Sequence, residues 1–375
     1  MHYPAENGWI VFASDRVPIP FSSYGLYRLD PVGSRVTGLG LAGEDPAWSP
    51  DGSMIAFSDR RHRLVVARAD GTQSRVVVNR PPFVAEEPAW SPEGSRIVFQ
   101  ARHLRGGFGR DLWIVNADGT GVPRRVMRVP RDDLQPSWSP DGSLIAFSSN
   151  RGTGGLLEDF EIYVVRPSGN GLRRLTANRV RDLSPAWSPD GSVIVFGRGR
   201  LPEGFNSELW TMRSDGAGES RVQRASGPTG LPVWADHSPS WSPDGNWIVY
   251  ASDPSVNRDD VYIVRPDGAD KVNLTPATDS YDFDPAWQPV CSHPGTPGRD
   301  SFRGTLADDR VCGYGGNDTI QGGTGRDGLY GGDGNDVIRA RDGSFDVVGC
   351  GAGRDEVVAD RVDLVGVDCE RVRRA

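Results

Sequence analysis

Apolar residues in this chain come in short runs, and polar turn clusters close both ends of each run. One set lies at 54–57, 97–99, 144–147, 193–196 and 247–250; a second follows at 64–67, 112–115, 162–165, 209–212 and 261–264. A third, richer in arginine, lies at 75–78, 124–127, 173–176, 221–224 and 271–275. Runs this short do not separate a strand from a buried helix by period alone. Their β-branched and aromatic content and the turns at both ends decide for strands. The chain is predicted to be all-β. No run approaches the 18 apolar residues of a membrane-spanning helix.

The turns repeat as well. Trp48-Ser49-Pro50-Asp51-Gly52 returns at Trp138, Trp187 and Trp241, returns at Trp90 with Glu93 in place of Asp, and ends as a fragment at Trp287. The tryptophans are 42, 48, 49, 54 and 46 residues apart. Pro presets φ for the first turn position, Asp tolerates the second, and Gly supplies the positive φ that a hairpin turn with a bulge requires. A period of about 40–50 residues suits four strands per propeller blade. Each Trp is then a packing residue between neighbouring sheets.

The chain opens inside a repeat. Segments 9–13, 26–29 and 35–39 match the second, third and fourth strands, and the missing first strand is found at 284–287. Pairing the last strand into the first blade would close a six-bladed ring and remove its exposed edges.

The Trp-Ser-Pro-Asp-Gly block, with a downstream strand such as Ile162-Tyr163-Val164-Val165, resembles the WD40-like repeats of TolB-type six-bladed propellers over about residues 5–289. The resemblance implies the fold more firmly than a function. Such repeats occur in periplasmic scaffolds, in the propellers of prolyl-oligopeptidase-like peptidases and in polysaccharide lyases. The peptidase alternative lacks its residues, because no Gly-x-Ser-x-Gly elbow and no α/β-hydrolase domain follow the repeats.

After residue 289 the composition changes and the period falls to nine. Units 322–330 and 331–339 both read Gly-Gly-x-Gly-x-Asp-x-apolar-x; unit 313–321 has Tyr314 at the second position, and 304–312 and 295–303 keep Gly, Asp and the apolar residue. One residue is inserted after 339, and degenerate units follow around Asp346 and Asp355. The segment resembles RTX, or haemolysin-type, calcium-binding repeats, which form a parallel β-roll. The resemblance implies Ca²⁺ held by Asp300, Asp309, Asp318, Asp327 and Asp336, with turn carbonyls supplying the remaining oxygens. Gly313, Gly322, Gly331, Gly325 and Gly334 would let the backbone approach the ion. The chain thus divides into a propeller at 1–289 and a roll at 290–375. An ion-free roll of Gly and Asp is the alternative.

The four cysteines, Cys291, Cys312, Cys350 and Cys369, all lie in the glycine-rich tail. An even number fits disulfides, and no CxxC spacing points to zinc. Under the roll resemblance, the Cys350 to Cys369 gap is about one turn, which favours that pair and leaves Cys291 with Cys312. The connectivity stays open at this stage.

Charge narrows the partners. The net charge is −8, only one residue (Lys271) is a lysine, and the arginines are scattered, which excludes a nucleic-acid footprint. Carboxylates gather just before each Pro-Ala/Ser-Trp: Asp45, Glu87, Asp133, Asp182, Asp236, Asp282 and Asp284, with His237 beside Asp236 and Trp234. A ring of like charge at a channel mouth would attract cations or a basic peptide. The alternative is that these residues cap local turns. The other histidines (His2, His62, His103 and His293) read as surface loop residues. No catalytic constellation stands out. His237 with Asp236, Asp282 and Glu87 is the most a metal-dependent lyase could use.

The expectation is a secreted or cell-surface monomer that binds a protein or peptide on its propeller face and Ca²⁺ in its tail. An enzyme acting on an extracellular polysaccharide or lactone is the alternative. Residues 1–6 carry no basic or apolar leader pattern. An extracytoplasmic setting would place a leader upstream of Met1, which the chain leaves open.

Overall fold

The computed structural model describes residues 8–16, 24–31, 35–79, 83–103, 109–128, 131–151, 159–178, 180–200, 206–222, 236–253, 258–276, 280–296 and 298–374. The regular elements among them are all β-strands. The Trp-Ser-Pro-Asp-Gly blocks make the hairpin turns expected of them. The Gly52 amide donates to the Ser49 carbonyl at 2.9 Å and the Ser49 amide to that of Met54 at 2.9 Å, with the same pair of bonds at the other four blocks. Gly52 has φ 72°, which a side chain would strain. Asp51 accepts the Ser49 hydroxyl at 2.5 Å and the Ser53 amide at 3.1 Å, so the turn satisfies its own polar groups.

Four sheets have four antiparallel strands each, in sequence order. They begin at Phe83–Trp90, Asp133–Trp138, Arg181–Trp187 and Asp236–Trp241. A fifth sheet has seven strands. It contains β1 (Ile10–Ser14), β2 (Gly25–Leu29), β3 (Val36–Trp48) and β4 (Met54–Asp59). Separate strands at 35–39 and before Trp48 were expected here; β3 instead runs unbroken for 13 residues. Its first half pairs with β2 (Arg28↔Thr37) and its second with β4 (Trp48↔Ile55). Nothing between Val36 and Glu44 makes a turn, and Leu39 and Leu41 alternate into the core. The strand Asp282–Trp287 pairs with β1, Ile10 against Trp287 and Ser14 against Asp282, so both ends of the repeat region share one sheet. Of the sequence's fourth strand at 221–224, residues 223 and 224 lie outside the described residues, as do Trp234 and residues 1–7.

Neighbouring sheets pack face to face. Leu64 and Val66 meet Ile97 and Phe99, all at most 1% exposed. Burying each such side chain contributes about 1.5–3 kcal/mol. Three of the repeat indoles stitch inner strands together through their N–H: Trp48 to the Ala286 carbonyl at 3.1 Å, Trp90 to Ala47 at 3.2 Å, and Trp241 to Ala186 at 3.2 Å. Arginines do the same at the rim, Arg75 to the Ala117 carbonyl at 2.7 Å and Arg124 to Pro167 at 2.8 Å.

The tail coils into two parallel five-stranded sheets. Successive nonapeptides feed alternate sheets, so Thr319 lies beside Val337 and Leu329 beside Val348. The single apolar position of each unit fills the space between the sheets: Val311, Ile320, Leu329, Ile338, Val348 and Val357 are all fully buried. One sheet lies against the Ser-Pro-Asp-Gly turns. Tyr330 Oη donates to the Pro92 carbonyl at 3.1 Å and the Val367 amide to Ser95 Oγ at 3.4 Å. The disulfide of Cys291 and Cys312 sits beside the Asp51 carbonyl. These turns follow the innermost strands. The carboxylate-rich segments precede the same strands and so lie toward the opposite end.

Candidate functional site

The aspartates of the tail form two ladders. One oxygen of each accepts the backbone amide of the corresponding residue one coil earlier. Asp318 Oδ1 takes the Asp300 amide at 2.8 Å, Asp327 takes Asp309 at 2.9 Å, Asp336 takes Asp318 at 2.7 Å, Asp346 takes Asp327 at 2.9 Å and Asp355 takes Asp336 at 2.8 Å. The other oxygen, Oδ2, of Asp318, Asp327, Asp336, Asp346 and Asp355 is buried with no hydrogen-bond partner. Three of these oxygens point at the glycine that opens their own unit. A Cβ on Gly313, Gly322 or Gly331 would lie 2.3, 2.5 or 2.4 Å from Oδ2 of Asp318, Asp327 or Asp336. Gly325 and Gly334, at φ 122° and 147°, instead let one coil stack on the backbone of the one before. A buried carboxylate oxygen without a donor carries a desolvation penalty of about 1–3 kcal/mol or more. A row of them, three in cradles only glycine leaves open, fits a hard cation with oxygen ligands.

Asp300 and Asp309 differ from the rest of the expected set. Asp300 Oδ2 accepts both the amide and the hydroxyl of Thr296, at 2.7 and 2.9 Å. Asp309 Oδ2 accepts those of Thr305, at 2.5 and 2.9 Å. In these two units a threonine at the second position takes the oxygen that stays bare where Tyr314, Gly323, Gly332, Asp342 or Gly351 stands there. Asp346 and Asp355, absent from the expected set, join the bare row. The inserted residue stretches the Asp327-to-Asp346 step to 19 residues without breaking the ladder. Burial pushes Asp327 and Asp336 up from 3.8 to about 6 and Asp346 to about 7; bonds from backbone amides oppose this, and neighbouring aspartates add to it.

The cysteines pair as Cys291–Cys312 and Cys350–Cys369, with Cα atoms 6.0 and 5.2 Å apart. Both fall within the span a disulfide allows.

At the other end, Asp45, Glu87, Gln135, Ser184, Ser238 and Asp284 all have φ between 49° and 54°. Each stands three residues before a repeat Trp, inside a bulge of the innermost strand. Side chains at this level reach the next sheet's equivalent residue. The Glu87 amide donates to Asp45 Oδ2 at 3.1 Å and the Ser184 amide to Gln135 Oε1 at 3.0 Å. The result is a ring that is acidic on one arc only, at Asp284, Asp45 and Glu87. Burial first, then mutual repulsion, raises Asp45 well above the usual carboxylate range and Glu87 to about 8.

The remaining carboxylates of the expected mouth are buried and committed. Asp133 binds Arg151 and Ser149; Asp182 binds Arg198 at 2.7 and 2.8 Å; Asp236 accepts the Ser252 hydroxyl at 2.7 Å; Asp282 binds Arg16 and accepts the Ser14 hydroxyl at 2.6 Å. They tie the end of the second strand to the first rather than line a mouth. His237 is half-buried. Its Nε2 is 3.2 Å from Asp259 Oδ1 and its Nδ1 is 3.2 Å from Ser238 Oγ, which donates to Asp284 Oδ1 at 2.7 Å. Burial lowers the imidazole, but Asp259, Asp284 and Asp236 outweigh it and the net shift is upward. His62 faces Glu86 at 3.6 Å and His293 faces Asp309 at 3.6 Å. Among the described residues, no three His, Cys, Asp or Glu side chains converge on one metal position. The lyase grouping of His237, Asp236, Asp282 and Glu87 is therefore not assembled. The tail offers a different arrangement, one bare carboxylate oxygen in each unit from Asp318 to Asp355.

These features define a β-propeller carrying a parallel β-solenoid of Gly/Asp nonapeptides. The chain belongs to the TolB beta propeller domain family (PD40), whose model matches residues 22–291. The model of the RTX calcium-binding nonapeptide repeat matches residues 294–329 and 313–344. No curated protein matches the chain by sequence. Among solved structures, TolB from Acinetobacter baumannii is 22% identical with a TM-score of 0.61, over 76% of this chain and 68% of that one. A protein assigned as TolB from Agrobacterium tumefaciens is 20% identical with a TM-score of 0.55, over 76% and 99%. Hydrazine synthase from Kuenenia stuttgartiensis is 14% identical with a TM-score of 0.61, over 75% and 47%. At these identities the likeness is one of fold.

Proposed function

We propose that this chain is an extracytoplasmic binding scaffold rather than an enzyme, with a calcium-ordered roll at 290–375 and a six-bladed propeller at 1–289. The blade count takes the seven-stranded sheet as two blades joined through β3. The observation that carries the reading is the row of bare, buried Oδ2 atoms on Asp318, Asp327, Asp336, Asp346 and Asp355. Ca²⁺ supplies the positive charge these oxygens lack. Ions that bind only the folded coil stabilise it by about 2.7 kcal/mol per site at a hundredfold excess over Kd. Two disulfides in so small a coil support an oxidising compartment. The arc of Asp284, Asp45 and Glu87 supports a cationic protein or peptide segment as the partner, because Asp45 and Glu87, pushed upward by burial and repulsion, recover their charge beside a cation. A monomer presenting this face suffices.

The test is a thermal melt of the full chain, disulfides intact, in millimolar Ca²⁺ and in chelator. A roll transition several degrees higher in Ca²⁺ supports the reading; coincident melts reject it. A hydrolase or lyase acting on a polysaccharide or lactone is the second reading, favoured by the chain Asp259–His237–Ser238–Asp284. It requires that His237→Ala abolish a turnover seen in the wild type. Against it, the Ser238 proton is already given to Asp284.

A further inference from the structure

The block at Trp90 is the one that has Glu in place of Asp, and it is one of the blocks against which the roll packs. In the four Asp copies the block's own serine donates to the aspartate, at 2.5–2.6 Å. Glu93 turns elsewhere. Its Oε1 accepts Ser95 Oγ at 3.0 Å and Arg96 Nε and Nη2 at 2.9 and 2.8 Å. Its Oε2 is buried without a partner, on a side chain with no exposed surface. One guanidinium on one oxygen leaves the other in a dry seam with nothing to satisfy it.

The roll brings a second carboxylate to the same place. Asp368 Oδ2 accepts the Gly351 amide at 2.7 Å. Its Oδ1 lies near the sulfur of Cys369, a half-cystine with no proton to give. Both side chains lie against buried Gly366, Asp368 through its carboxylate and Glu93 through its stem. A Cβ built there would lie 2.1 Å from Asp368 Oδ1 and 3.3 Å from the Glu93 Cγ. Around them the seam is tight. A Cβ on Gly349 would lie 2.2 Å from the Glu93 carbonyl oxygen, and Tyr330 Oη holds the Pro92 carbonyl. Burial lifts the Asp368 carboxyl to about 6, and the charge on Glu93 adds to this.

We propose that Glu93 Oε2 and Asp368 Oδ1 hold a calcium ion across the seam between propeller and roll. Arg96 is bonded to Glu93, and Asp368 brings a second carboxylate beside it, so the seam carries net negative charge, and oxygen donors from both sides suit a hard divalent cation completed by carbonyls and water. The site is separate from the ladders: Glu93 belongs to the propeller, and Asp368 stands outside both aspartate columns. Its effect would be to pin the roll on the turn face only when calcium is present, leaving the acidic arc at the other end open.

The experiment counts bound calcium per full-length chain by equilibrium dialysis, for wild type, Glu93→Gln, Asp368→Asn, the double variant and Asp327→Asn. The expected result is the loss of one ion in each single seam variant and no further loss in the double. Asp327→Asn should lose ladder calcium and keep the seam ion. Seam variants that keep the wild-type number overturn the proposal. If Glu93→Gln does not fold, Asp368→Asn on the roll side decides alone. If wild type binds no calcium, the roll reading falls together with the seam. If only Asp327→Asn loses calcium, the seam alone falls.

Discussion

Without calcium, the roll should lose stability as pH rises from 5 to 8. Asp327 and Asp336 sit near 6 and Asp346 near 7 in the folded chain, against 3.8 for an exposed aspartate. A carboxyl raised in the folded state binds protons that the unfolded chain has released. Its favourable contribution is therefore present at low pH and lost as pH climbs through the folded value. Between pH 5 and 8 the loss is about 1–2 kcal/mol for Asp327 or Asp336 and about 2–3 kcal/mol for Asp346. Neighbours in one ladder share these interactions, so about 3 kcal/mol for the whole roll is the fair expectation. The assay is hydrogen exchange in chelator, read at the amides of Ile320, Ile338 and Val357, which lie inside the roll and exclude the propeller's own titration. Saturating Ca²⁺ should remove or reverse the slope, because the ion binds the ionised form. Protection in chelator that is flat, or that rises with pH, would refute the claim that these carboxyls are buried without compensation.

Three further outcomes follow from the same geometry. Asp309→Asn should leave the number of bound calcium ions unchanged and lower stability in chelator by about 1 kcal/mol through loss of the Thr305 cap, whereas Asp327→Asn should reduce the ion count; equal effects on the count would dissolve the distinction. Glu87→Gln should raise the propeller melting temperature at pH 9 and progressively less toward pH 5, since the folded value near 8 makes ionisation unfavourable, and it should weaken binding of a lysine-rich peptide; calorimetry across pH with no gain at pH 9 would count against the acidic arc. Trp90→Phe removes the bond to the Ala47 carbonyl and part of an inter-sheet contact, and urea unfolding should show a loss of about 2 kcal/mol.

The repeat architecture was legible because turn chemistry is local. Ser-Pro-Asp-Gly fixes a hairpin wherever it falls, and the stray Trp287 strand announced its pairing with β1. The continuous β3 was not legible, because glycines at 38, 40 and 43 look like a break until Leu39 and Leu41 find the core. At the mouth, the carboxylates five and three residues before each Trp would share one face of a regular strand. The bulge breaks that alternation, burying Asp133, Asp182, Asp236 and Asp282 while turning Asp45, Glu87 and Asp284 inward. In the roll, the nonapeptide identified the ladder. Which rungs are bare depended on whether a threonine stands at the second position, and the insertion left Asp346 and Asp355 in units too degenerate to join the expected set. The burial of Glu93 needed the docked roll and has no local signal beyond its difference from aspartate.

The central claim is that the bare aspartate oxygens hold calcium, and the most direct measurement is calcium counted on the full-length chain at neutral pH after dialysis against micromolar free ion. The account requires at least two ions per chain, released by chelator and reduced by Asp327→Asn and Asp336→Asn. A chain that carries none, and whose roll is equally protected in chelator, would contradict it.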